Sequence, residues 1–213
     1  ARILRIGYIA IHYDPVGCDW PNKDPNQERI AKAYQWAERV YPLAKIDYFP
    51  LPRSITWDSP LRILLCSGPS HPIEALKLNL KLGMLWLLTD PRPDYLFGWL
   101  PDSAYGGGNS SILGKTAFAD DTPGDELRYF AHEVGHLLGL GHANTLGSLS
   151  DPNCSYSIIN IDPFSGWPYS TSKIQEYGID ISIDQLKNPQ QTYDYMSYCG
   201  VLSPPDGYGN VWT

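Results

Sequence analysis

Hydrophobic residues in the first half of the chain change from strand-like to helix-like spacing and back. Residues 3–13 are rich in β-branched and aromatic side chains with partial alternation, as in a strand buried on at least one face. Residues 25–41 carry their apolar side chains at the spacing of one helix face: Ile30, Tyr34, Ala37 and Tyr41. The pattern predicts strands over 3–13, 45–51, 94–100 and 112–119, and helices over 25–41, over 72–88 and from Thr122 onwards.

Local signals indicate where the predicted helices begin. Asp24 is the expected N-cap of the first helix, with Pro25 at its first position. Thr122 and Pro123 have the same roles in the third helix, whose first turn is acidic and so favours the positive end of the helix dipole. The second helix has apolar residues along one face, which we expect to be buried: Ile73, Leu76, Leu80 and Met84.

The order of these elements predicts the fold class. Strands that alternate with helices imply a mixed sheet with parallel pairs and right-handed crossovers, and therefore an α/β (α+β) fold. Beyond His142 the composition shifts to Ser, Asn, Pro, Tyr and Gly with few periodic segments. We expect one domain over 1–213, with a sheet-bearing N-terminal subdomain over 1–142 and an irregular C-terminal subdomain over 143–213.

The third helix contains the sequence HEVGHLLGLGH, which has the spacing of a metal site. His132 and His136 lie four residues apart on one helix face, at a separation that one tetrahedral ion accepts. Glu133 is one step round the helix and can act as general base without ligating the metal. Gly139 allows the left-handed turn that would bring His142 to the same ion. Three histidines leave the fourth position open, as in catalytic rather than structural zinc sites.

This extended motif resembles the zinc signature of the metzincin clan of metallopeptidases, which also has a downstream Met-turn. Met196, one of only two methionines, lies in TYDYMSYCG and matches that turn. Tyr198 matches the tyrosine that lies beside the zinc in astacin-like, serralysin-like and pappalysin-like members. The segment KIQEYGIDI and the cysteine after MSY look like those of a bacterial secreted group. The resemblance implies one catalytic Zn²⁺, a twisted mixed sheet and an extended substrate bound along an edge strand, which we expect at 112–119.

Composition limits the partners of the protein. The net charge of -7, with no basic block, argues against nucleic acid and anionic membranes as partners. The most apolar run, 76–88, is interrupted by Lys77, Asn79, Lys81 and Gly83, so we expect no membrane span. We expect a monomer that acts on protein or peptide substrates.

Four cysteines without a CxxC pair favour two disulfides and a secreted protein, whereas four buried free thiols in a cytosolic protein are the alternative. Three connectivities are formally available. Cys154 and Cys199 flank the segment after the histidine motif, which favours their pairing and leaves Cys18 with Cys66 by elimination.

Other features allow a second interpretation. The content of 7 Trp and 15 Tyr would suit a module that binds glycans or glycoproteins and holds only a structural zinc, but an intact Glu133 argues for catalysis.

Asp120, Asp121 and Asp125 could ligate calcium, but they do not match an EF-hand loop, and helix capping accounts for them. His12 and His71 have no partner at ligand spacing. The sequence therefore predicts a secreted zinc endopeptidase of protein or glycoprotein substrates.

Overall fold

The structure is a computed structural model of the chain. It describes residues 3–21, 23–41, 45–64, 67–111, 114–143, 167–169, 171–180, 183–197, 199 and 211–212. These residues form two compact units, one of residues 1–38 and 43–137 and one of residues 39–42 and 138–213.

The elements of the first unit follow the predicted alternation of strands and helices, with four additional short strands. In chain order they are β1 (Leu4–Tyr13), α1 (Gln27–Val40), β2 (Ile46–Pro50), β3 (Ile55–Trp57), β4 (Arg62–Leu64), β5 (Ser67–Ser70), α2 (Pro72–Leu87), β6 (Tyr95–Leu100), β7 (Gly108–Ser110), β8 (Thr116–Asp120) and α3 (Glu126–Leu137). The last two residues of α1 group with the second unit.

The central sheet has the strand order β2-β1-β6-β8-β7, and β3 also pairs with β1. All neighbours are parallel except β7 and β8, which are antiparallel. Strand β8 and all of β6 except its first residue are buried, as expected for parallel strands in the interior of an α/β sheet. The prediction of a mixed sheet in an α+β fold is confirmed.

The predicted position of the edge strand was wrong. We expected residues 112–119 to form that edge, but β8 lies between β6 and β7, and the edge is the short strand β7. Residues 112 and 113 lie outside the described part of the chain. The five side chains of β8 are all buried, and a sequence without charges before Asp120 suits this interior position.

Helix α2 packs on the sheet with a different face from the predicted one. Its buried residues are Ala75, Leu78, Asn79 and Leu82, whereas Ile73, Leu76, Leu80 and Met84 are between 49% and 64% exposed. Apolar residues surround most of this helix, so spacing alone does not select the inner face. The sheet selects it, because a Cβ atom on Gly98 of β6 would lie 3.0 Å from Cδ1 of Leu82.

The starts of α1 and α3 also differ from the predictions. Asn26, not Asp24, is the N-cap of α1, because its Oδ1 accepts the backbone N–H groups of Glu28 (2.9 Å) and Arg29 (3.2 Å). Asp24 instead contacts Nδ1 of His12 at 2.9 Å.

Helix α3 begins at Glu126, four residues after Thr122. Gly124 has φ +88°, which is incompatible with a regular helix over that stretch. The Thr122 hydroxyl accepts the N–H of Ser103 at 3.1 Å, so this threonine joins two loops and does not cap the helix with its side chain.

Aromatic packing joins α3 to the sheet. The Phe130 ring lies 4.8 Å from that of Phe97 and 5.6 Å from that of Trp99, both on β6, and 5.3 Å from that of Tyr48 on β2. Phe130, Phe97 and Trp99 are fully buried. Aromatic pairs at these distances add to the free energy gained by burial, and here they set the rotation of α3 on the sheet.

The second unit contains short strand pairs. They are β9 (Gly178–Asp180) with β10 (Gln185–Lys187), antiparallel, and β11 (Tyr193–Asp194) with β12 (Val211–Trp212), parallel. Within this unit the guanidinium of Arg39 binds the fully buried carboxylate of Asp180 through two contacts, one of them between Nε and Oδ1 at 3.3 Å.

Two further sequence predictions concern cysteines and membranes. Neither of the described cysteines, Cys18 and Cys199, is a free thiol. Cys66 and Cys154 lie outside the described residues, so the proposed pairings stay predictions.

No helix in the described part of the chain has the length and apolar character needed to cross a membrane.

The buried ion pair between Arg39 and Asp180 predicts that Arg39→Ala lowers the free energy of unfolding much more than Lys32→Ala, which breaks an exposed ion pair. Arg39→Ala should lower the free energy of unfolding by about 3–5 kcal/mol, because it leaves a buried carboxylate without its main counter-ion. Lys32→Ala, which breaks an exposed pair with Glu28, is the control and should change stability little. Urea unfolding measures both, and equal small effects would show that the buried pair is not a major source of stability.

Candidate metal centre

Helix α3 brings two imidazoles together on one face. Nε2 of His132 and Nε2 of His136 lie 3.2 Å apart, with the two rings nearly perpendicular. Two nitrogens bound at about 2.0–2.1 Å to one tetrahedral ion are separated by about 3.3 Å. The observed spacing therefore fits two ligands of a single metal ion.

His142 completes a cluster of three histidines. The helix ends at Leu137, and Gly139 has φ +90°, the left-handed conformation predicted for this position. After this turn, the ligand nitrogens of His132, His136 and His142 all lie within 4.8 Å of one another. His132 is buried and the other two are half-buried. The three imidazoles form a site that could hold a metal ion.

Glu133 follows His132 on α3, and its side chain is buried. Desolvation raises the pKa of its carboxyl to about 8, and a hydrogen bond with the Ser110 side chain opposes that shift. Its Oε2 atom is buried and has no hydrogen-bond partner among the described residues. A carboxyl group with a raised pKa is a suitable proton acceptor near neutral pH, and a bound cation nearby would lower the pKa again.

The edge strand β7 contacts Glu133 through residues that the sequence analysis did not identify. A Cβ atom on Gly108 would lie 2.5 Å from Cγ and 2.7 Å from Oε1 of Glu133, so only glycine leaves space there for this side chain. Ser110, two residues later on the same face of the strand, forms the hydrogen bond with the carboxyl. A three-residue polar strand after a run of glycines has no hydrophobic alternation by which it could be recognised.

The loop before β7 is fixed by Asp120 at the end of β8. This fully buried carboxylate accepts backbone N–H groups of Tyr105 (3.0 Å), Gly106 and Gly107 (3.3 Å). Burial raises the pKa of Asp120 to about 7, although the loop N–H groups act in the opposite direction. Asp120 thereby holds the loop that leads into the strand beside Glu133.

The neighbouring acidic residues have structural contacts of their own. The Asp121 carboxylate accepts the backbone N–H of Asn26 and lies 3.7 Å from the Arg29 guanidinium. Within the described ranges, the three histidines form the only group of three or more potential ligand residues close enough to hold a metal. The structure therefore does not bring Asp120, Asp121 and Asp125 together as a calcium site. His12 and His71 also lie outside the cluster.

Met196 is buried in a hydrogen-bonded turn of the second unit. The N–H of Ser197 donates to the carbonyl of Asp194 at 3.0 Å, and the N–H of Met196 donates to the Asp194 carboxylate at 2.8 Å. Burial raises the pKa of Asp194 to about 6. The Met196 carbonyl accepts the N–H of Ala143, the residue after His142, at 3.1 Å. Tyr198 lies outside the described residues, so its predicted position beside the metal stays a prediction.

The described part of the site thus consists of three imidazoles, a buried carboxyl and the edge strand that contacts it. Comparisons of the chain with protein-family models, with curated proteins and with solved structures find no match.

The histidine cluster predicts stoichiometric metal binding. The wild-type protein should bind about one divalent transition-metal ion per chain, and His136→Ala should weaken binding by more than about a hundredfold, because one of three ligands is lost. His12→Ala is the matched control and should leave affinity unchanged, since His12 lies outside the cluster. Elemental analysis and calorimetric titration measure both, and unaltered affinity in His136→Ala would exclude this site.

Proposed function

We propose that the protein is a zinc-dependent endopeptidase with a site of the metzincin type. The observation that carries the proposal is a cluster of three imidazoles, two of them on α3, together with the buried carboxyl of Glu133, the residue after His132 on the same helix. Structural zinc sites usually have four protein ligands, often including cysteine, whereas three histidines leave one coordination position for chemistry. Imidazole ligands near tetrahedral spacing are compatible with zinc, which prefers nitrogen and sulfur ligands in tetrahedral geometry.

The residues of the chain have distinct roles in the proposed reaction. His132, His136 and His142 would hold the ion. When bound, zinc lowers the pKa of a coordinated water molecule to about 7 and polarises a carbonyl oxygen. Glu133 accepts a proton from the attacking water and delivers it to the amine that leaves. Its burial favours this exchange, because a partly desolvated carboxylate binds a proton more readily than an exposed one.

The position of β7 favours an extended peptide as substrate. Among the described residues, this strand pairs with β8 on one side and is the last strand of the sheet order on the other, so its second row of backbone groups can bind a further strand. The same strand contacts Glu133 through Gly108 and Ser110. A peptide added to this edge would pass close to the proposed general base.

An extracellular location belongs to the same proposal. Two disulfides, Cys18 with Cys66 and Cys154 with Cys199, would suit an exported enzyme. Peptide mapping without reduction tests both pairings, and recovery of four free thiols would contradict them.

Replacement of Glu133 tests the proposed hydrolysis. Glu133→Ala should lower kcat by at least roughly a hundredfold while about one zinc per chain is retained, because the proton acceptor is lost and the ligands remain. Mass-spectrometric profiling of a peptide library, with and without a chelator, measures cleavage for both proteins. Undiminished cleavage by the variant, or cleavage that survives complete removal of the metal, would contradict the proposal.

The resemblance to metzincin families with a tyrosine two residues after the Met implies a second catalytic role for Tyr198. Its hydroxyl would donate a hydrogen bond to the oxyanion that forms as water attacks. Tyr198→Phe should therefore lower kcat by on the order of ten- to a thousandfold with KM little changed, since an interaction made only in the transition state is lost. Steady-state kinetics measure this, with zinc content as control, and normal kcat would leave Tyr198 a packing residue.

A further inference from the structure

One face of β7, formed by Gly108 and Ser110, contacts Glu133. Gly108 and Ser110 point to the same side, towards Glu133, whereas Asn109 between them points to α2, where its Oδ1 accepts the side-chain amide of Asn79 at 2.7 Å. Gly108 has no left-handed backbone conformation that would require glycine. Space beside Glu133 is therefore the physical reason for the glycine.

The two carboxyl oxygens of Glu133 have different surroundings. The Ser110 side chain bonds the carboxyl group, while Oε2 is buried without a hydrogen-bond partner among the described residues. A buried carboxyl oxygen without a partner is unfavourable unless a ligand, a water molecule or a reacting group meets it. The hydrogen bond with Ser110 therefore fixes one side of the carboxyl group, while Oε2 can still form a hydrogen bond with a water molecule or a ligand.

We propose that Ser110 is a positioning residue whose hydrogen bond fixes the orientation of the Glu133 carboxyl, with Gly108 providing the space for this arrangement. The inference rests on the proposed function, because it concerns the orientation of the proposed general base. The edge strand thereby has a second role, since Gly108 and Ser110 set the position of Glu133 while the backbone of the strand would bind the proposed peptide substrate.

The loop before β7 supports this role. Asp120 fixes the backbone of Tyr105, Gly106 and Gly107, directly before Gly108. The pair of asparagines fixes the opposite face of the strand. A hydrogen bond orients a carboxyl group only if its donor is itself held in place, and these contacts hold Ser110.

Kinetics of four variants test the proposal in the zinc-loaded enzyme. Ser110→Ala should lower kcat about tenfold with KM and zinc content unchanged, the factor expected for the loss of one hydrogen bond to a charged group. Ser110→Thr retains the hydroxyl and should recover most of that loss. Gly108→Ala should lower kcat further, because the added methyl group displaces the Glu133 side chain. Ser54→Ala, at an exposed serine, is the control for the same chemical change.

A double-mutant cycle distinguishes failure of this inference from failure of the proposed function. Ser110→Ala should lower the midpoint of thermal unfolding in the wild-type background but not in a Glu133→Ala background, where the partner of the hydroxyl is already absent. If the wild-type protein cleaves peptides but Ser110→Ala has normal kcat, the positioning role is overturned. If the wild-type protein cleaves nothing, the proposed function fails, and additive shifts in the cycle would then overturn the contact between Ser110 and Glu133 as well.

Discussion

The packing of α3 against the sheet is the constraint on which the rest of the candidate site depends. Phe130 lies among the rings of Phe97, Trp99 and Tyr48, and these contacts fix both the depth and the rotation of the helix. Rotation decides which side chains of α3 face the edge strand. With Phe130 directed into the core, Glu133, three residues later, is directed towards β7, and this strand can approach only because residue 108 has no side chain.

Burial of Glu133 opposes the stability of the fold and favours its proposed chemistry. A desolvated carboxyl without a full set of hydrogen bonds is costly to place inside a protein. The same desolvation makes the carboxylate of Glu133 a stronger proton acceptor than that of an exposed glutamate. Such conflicts between local stability and reactivity are expected at functional sites, where a structure retains groups that packing alone would not select.

The parts of this structure that the sequence predicts are those set by local spacing. The helical period places His132 and His136 on one face, and Gly139 turns the chain towards His142, so the cluster could be inferred from residues close in sequence. Strand β7 could not be inferred, because tertiary contacts and not its own pattern define it. The prediction of the buried face of α2 was wrong for a related reason. The helix is apolar on several sides, and its contact with Gly98 of the sheet decides which side is buried.

The anchoring of the glycine-rich loop by Asp120 gives the molecule an uneven tolerance to mutation. Three backbone amides depend on one carboxylate, and no other side chain among the described contacts duplicates that role. A substitution at one loop residue would affect only the hydrogen bond of that residue's own N–H group. Replacement of Asp120 by a residue without a carboxylate would release all three together, whereas the backbone bond from the N–H of residue 120 to the Gly107 carbonyl would remain. Tolerance to substitution should therefore be low at position 120, although this residue is not part of the histidine motif.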